Sequence, residues 1–239
     1  MFMFDELILA KDWPALADRI GEIINKTREI EDAQISIIFG ETDILRQTDH
    51  LDLCFQLCVL FGQGTPDEAE AQFWAEKCLN HPDCTKEKRH WIRSEALQRW
   101  VRHGDTSEYQ ERLADAKNLL IVSSSEFGFA QQGNDSLLIA KIYMGHGEYG
   151  WASHYMEKAL SLYCLSDNPM SKVWENNCHQ HRTLCYALLG NRKKCLSSAR
   201  DYCESLADGQ TKDKHIRLIQ VAATISTGPS LSRLAKKHI

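Results

Sequence analysis

Glycine and proline are scarce in this sequence, 13 and 5 respectively in 239 residues. An all-β chain draws on those residues for a turn every ten positions or so, and the scarcity argues against that class. Long hydrophobic runs are missing too. The densest apolar stretch, Cys54–Phe61, is broken by Gln56 and falls far short of the roughly 18 apolar residues that span a bilayer. Basic charge is in deficit: 28 Lys and Arg against 33 Asp and Glu leave a formal net charge of −5. No global positive field is therefore available to hold a nucleic-acid backbone or an acidic membrane. The chain also lacks a Gly-x-Ser-x-Gly elbow, a Gly-rich phosphate loop with its Lys, and a His-Glu-x-x-His pair, so no catalytic constellation is legible. Ser123-Ser124-Ser125-Glu126, followed by Gly128 and Gly133, reads as a polar linker rather than a phosphate cradle.

What is present belongs to an ordinary globular chain, 43% hydrophobic and 26% charged, long enough for a sizeable core. Nine cysteines, an odd count scattered from Cys54 to Cys203, suit free and mostly buried thiols in a reducing compartment. The opening residues, with acids at Asp5 and Glu6 and no basic stretch, do not read as a signal peptide. The expected location is cytoplasmic, with no membrane partner.

Helical periodicity dominates. Ala152, Tyr155, Met156, Ala159, Leu160 and Tyr163 fall on one face of a helix about four turns long, with Glu157 and Lys158 off that stripe. Ile92, Ala96, Leu97, Trp100 and Val101 give the same signal. Strand-like alternation is essentially absent, and the fold class is all-α. A further helix is expected over Pro14–Asn25, with Asp12 as its cap.

Turns occur at Gly62-Gln63-Gly64, His103-Gly104-Asp105, His146-Gly147-Glu148 and Leu189-Gly190-Asn191, and from Gly64 they lie 40, 43 and 43 residues apart. Each separates two helix-length apolar segments, and glycine suits a helix exit through the left-handed region. A fixed period with a helix–turn–helix in each unit marks an α-solenoid, here of antiparallel helix pairs. The stretch from Ser136 to Cys164 resembles a tetratricopeptide (TPR) repeat. Tyr143 matches the aromatic of its first helix, Gly147-Glu148-Tyr149 its turn, and Ala152, Met156 and Ala159-Leu160 its small and bulky second-helix positions. Tyr186, Gly190, Cys195 and Ala199 stand at equivalent places in a second unit, and the units around Gly104 and Gly64 are degenerate. The period exceeds the family's usual length.

The resemblance implies N-terminal helices over 1–48, four helix pairs over 49–207 in a right-handed stack, and a capping helix (211–226) within a C-terminal segment, 208–239, that ends in a loose tail. It also implies a concave groove lined by first helices. Alignment on Tyr143 assigns Trp91, Ser94, Gln98, Arg102, Asn134, Lys141, Asn177 and Gln180 to that lining. The expected role is to bind a protein or peptide segment there. A ligand-responsive regulator or chaperone-like adaptor and a thiol-dependent enzyme on a helical scaffold are the alternatives.

Three other clusters carry chemistry in principle. Cys78, His81, Cys84 and His90 have soft and imidazole donors at intervals that could close a zinc site, against a plainer reading as a helix face and its terminal loop. That plainer reading is the expectation, with no metal or other cofactor. Cys178, His181 and Cys185 share a helical face and read as a packed inner surface with a histidine at its edge. Lys86, Arg89 and Arg93 form the strongest local basic patch, suited to an acidic peptide more than to nucleic acid.

Overall fold

The computed structural model describes residues 4–24, 37–64, 68–104 and 106–205. All regular structure among them is helical, as the periodicity requires. The chain divides into two compact units, one ending at Arg99 and the other starting at Trp100. That division falls inside the segment read as a single repeat array, 49–207.

In the first unit, α1 (Phe4–Ala10) and α2 (Trp13–Ile24) meet at Lys11, whose φ of 53° turns the chain between them. Asp12 caps α2, its Oδ1 accepting from the Ala15 N–H at 3.3 Å. Pro14 occupies the first turn, where its missing N–H costs nothing. A single helical turn, α3 (Thr42–Leu45), precedes α4 (Leu51–Gly64) and α5 (Glu68–Asn80). Helix α4 packs on α2 and on α5. Leu16, Ile20, Leu53, Leu57 and Trp74 are fully buried in that core, and each such side chain contributes about 1.5–3 kcal/mol.

Helix α4 ends at Gly64, the last residue of the expected turn, so Gly62 lies inside its final turn. Gly62 also serves packing. A Cβ there would lie 3.1 Å from Glu95 Oε1 and 3.5 Å from Arg99 Cδ, both on α6 (Lys86–His103).

The second unit contains the last residues of α6, then α7 (Tyr109–Glu126), α8 (Phe129–Gly145), α9 (Tyr149–Cys164), α10 (Ser171–Leu188) and α11 (Arg192–Ser205). From α7 onward each helix packs on the next, and α8 also touches α10. Ser123–Glu126 is the last turn of α7 and not a linker. Its hydroxyls bond back along the helix, Ser124 Oγ to Leu120 O at 2.6 Å and Ser125 Oγ to Val122 O at 3.0 Å. Those bonds let a serine run stay helical.

Gly104, Gly147 and Gly190, at 43-residue intervals, all have left-handed backbones, with φ of 69°, 86° and 70°. After α8 the Glu148 N–H donates to Tyr143 O at 2.9 Å, and after α10 the Asn191 N–H donates to Tyr186 O at 2.9 Å. These are the same helix-ending bonds one period apart. Burial keeps that period as well: Tyr109, Ala152 and Cys195 are buried, and so are Leu113, Met156 and Ala199.

No helix among the described residues is long and apolar enough to cross a membrane. The expected capping helix and tail lie outside the described residues.

Candidate functional site

The expected groove residues divide between the units. Trp91, Ser94 and Gln98 belong to the first, and Arg102, Asn134, Lys141, Asn177 and Gln180 to the second. Ser94 fails as a lining residue. It is 2% exposed, because four residues after buried His90 and three before buried Leu97 it lies on the core-facing side of α6. Trp91 and Gln98 are half-buried on the same helix, and Arg102 is exposed near its end.

In the second unit α8 supplies Asn134 and Lys141, and α10 supplies Asn177 and Gln180. Asn134 is held from behind. The Tyr163 ring of α9 lies on the backbone of Gly133, and its hydroxyl donates to Asn134 Oδ1 at 2.8 Å. That bond occupies the amide oxygen and leaves the amide nitrogen as the donor. Asn177 is exposed and Gln180 half-buried, and neither amide has a side-chain partner among the described residues.

Lys141 sets the electrostatics between α8 and α10. Burial holds the His181 imidazole down at about 4, and the nearby Lys141 ammonium pushes the same way. His181 is therefore neutral at pH 7. Burial also pushes the Cys178 thiol up to about 12, against the pull of Lys141 and Arg182, and pushes Cys185 up to about 12. Both thiols stay protonated at neutral pH and pack as small apolar groups.

Behind this face Arg182 donates to Asp201 Oδ2 at 2.8 Å and, through Nε, to Ser198 Oγ at 3.0 Å, tying α10 to α11. His179 is held below its ordinary range by burial and then by Arg182.

The Cys78–His90 cluster does not assemble as a metal site. His81 Nδ1 accepts from the Asp83 N–H at 3.1 Å, so Nε2 carries the proton and donates to Asp49 O at 3.0 Å. Both ring nitrogens are thereby occupied. Cys78 is fully buried in the same core as Cys54, where α5 packs on α4. Among the described residues no three His, Cys, Asp or Glu side chains are placed to hold a metal ion.

The basic patch is partly consumed by the fold. Arg89 Nη1 donates to Leu79 O at 2.8 Å and Nε to Cys84 O at 3.2 Å, closing carbonyls left open where α5 ends. Lys88 pairs with Asp52 at 2.6 Å. Lys86 and Arg93 are exposed.

Spacing gave no hint of an aromatic cluster built from three elements of the second unit. The Tyr109 ring of α7 stacks on His146 with centroids 3.6 Å apart and planes within 6°. Glu148 joins them, accepting from Tyr109 OH at 2.8 Å and lying 3.2 Å from His146 Nδ1. Lys117 Nζ sits 5.5 Å over the Tyr143 ring, which also packs against Tyr155 and Trp151. Trp151, 56% exposed, is the open edge of this cluster. The only sequence signal was the density of aromatic residues around the turn at Gly147.

In comparisons with known proteins, no family model, no curated protein and no solved structure matches the chain.

Proposed function

We propose that the chain is a TPR-like stack of antiparallel helix pairs that binds an extended protein segment on the face formed by α8 and α10. The observation that carries this reading is the 43-residue recurrence at the binding face itself. Asn134 and Asn177 lie one period apart, at the same place in α8 and α10, as Gly147 and Gly190 do at the helix ends. Repeated amides presented at repeated positions can pair with the peptide groups of an extended backbone, and Lys141 adds a cation for an acidic side chain. Arg102, in the second unit, enters the proposal by repeat register alone. Localisation in the cytoplasm is part of the same reading and rests on the odd count of nine thiols.

A phage-displayed library of random 12-residue peptides, selected on the full chain, tests it. The selected peptide should lose at least ~10-fold in affinity for Asn134→Ala/Asn177→Ala and stay unchanged for Lys158→Ala. A loss with Lys158→Ala and none with the double variant would overturn the reading.

A further inference from the structure

The proposed peptide face has unlike ends. At the start of α10, Met170, Val173 and Asn177 fall at i, i+3 and i+7, and Leu184 continues the stripe two turns further. Met170 and Val173 are 37% and 50% exposed, so the first turn of this stripe offers apolar surface that the core does not use. Other apolar residues of α10, among them Cys178, Cys185 and Ala187, are fully buried. On α8, Asn134 and Lys141 stand two turns apart, and the 43-residue register sets them level with Asn177 and Leu184. The exposed apolar pair and the Lys141 cation therefore lie on opposite sides of the paired amides.

Neighbouring acids are engaged away from this face. Asp135 is fully buried and accepts from Gln131 Nε2 at 3.1 Å. Glu175 pairs with Lys172 at 2.8 Å. The charge that Lys141 brings to the face is complemented by an acidic side chain of the partner.

Helix geometry sets the spacing. From Val173 to Leu184 α10 rises about 16 Å. An extended chain covers that length in about five residues. A lysine side chain leans back toward the start of its helix, which shortens the span to about four. Resting on the reading above, we propose that the α8–α10 face selects an extended protein segment carrying two marks. One is an apolar side chain set on Met170 and Val173, and the other, about four or five residues away, is an acidic side chain set on Lys141. Asn134 and Asn177 hold the backbone between them. Burial of the apolar side chain supplies affinity, and the charge pair rejects basic sequences.

The test uses the full chain and the peptide selected from the 12-residue library. Each peptide position is replaced by alanine in turn and titrated calorimetrically against the parent protein. Affinity should fall at least ~10-fold at one apolar and one acidic position, four or five residues apart. Exchanging that acid for lysine should cost at least ~10-fold, and Lys141→Glu should restore most of the loss. Val173→Asp, at an exposed position, should weaken the original peptide at least ~10-fold with an unchanged melting temperature. A peptide that depends on Asn134 and Asn177 but shows no such pair of positions overturns this inference and leaves the binding face standing. So does a lysine peptide that folded Lys141→Glu protein fails to rescue. A peptide indifferent to Asn134→Ala/Asn177→Ala overturns both. The peptide scan against the parent protein decides the matter even if a variant fails to fold.

Discussion

The ring of Tyr163 lies directly on the backbone of Gly133, so closely that a Cβ at that position would come within 2.4 Å of Tyr163 Cε1. Gly133 is inside α8, where exchange for alanine ordinarily favours the helix by about 1 kcal/mol. Here the overlap with a buried ring outweighs that gain. Gly133→Ala is expected to destabilise the protein by about 1–3 kcal/mol, read as a lower midpoint in urea unfolding. It should also loosen the hold of Tyr163 on Asn134.

Gly147 and Gly190 offer the opposite case. A Cβ at either position would meet no packed atom within 4 Å, so the cost of a side chain there is confined to the left-handed backbone. Alanine at either site should lose about 1–2 kcal/mol, and asparagine less, by the same unfolding measurement. Equal losses at the two positions would show the turns to be equivalent in energy as they are in geometry.

Ala152 is fully buried between packed helices, 43 residues from each of two other buried residues, Tyr109 and Cys195. Ala152→Asp would place an unpaired carboxylate in that contact and should cost on the order of 3 kcal/mol or more. A melting temperature equal to that of the parent protein would contradict the register.

How much of this was legible beforehand follows from what each feature depends on. The face of α9 and the turns at Gly104, Gly147 and Gly190 depend on residues a few positions apart, and period and glycine chemistry exposed them. At Gly62–Gly64 the helix end was legible, but the packing role of Gly62 was not, because it is set by Glu95 and Arg99, far along the chain. Ser123–Glu126 misled because serine suits loops until its hydroxyl bonds to the preceding turn. Arg89 looked like a surface cation, and only the meeting of α5 and α6 shows it closing the carbonyls of Leu79 and Cys84. Glu157, off the apolar stripe, accepts from the Tyr186 hydroxyl of α10, a contact that periodicity within α9 could not reveal.

The pH dependence of stability should carry the mark of His181. Its folded value of about 4 lies below the ordinary 6.5, so the unfolded chain binds the proton more tightly. The contribution is fully present above pH 6.5 and is lost as pH falls toward 4. Allowing for partial solvent screening, the loss over that window is on the order of 1–2 kcal/mol. His181→Gln should flatten the unfolding free energy between pH 6.5 and 4, measured by urea titration at each pH. His179, displaced in the same direction by burial, leaves a smaller residual slope.

The central claim, that a peptide lies along α8 and α10, is tested most directly by amide hydrogen exchange with and without a saturating library-selected peptide. The account predicts slowed exchange in Phe129–Gly145 and Ser171–Leu188, with α7, α9 and α11 unchanged. Slowing confined to α7, α9 and α11 would contradict it.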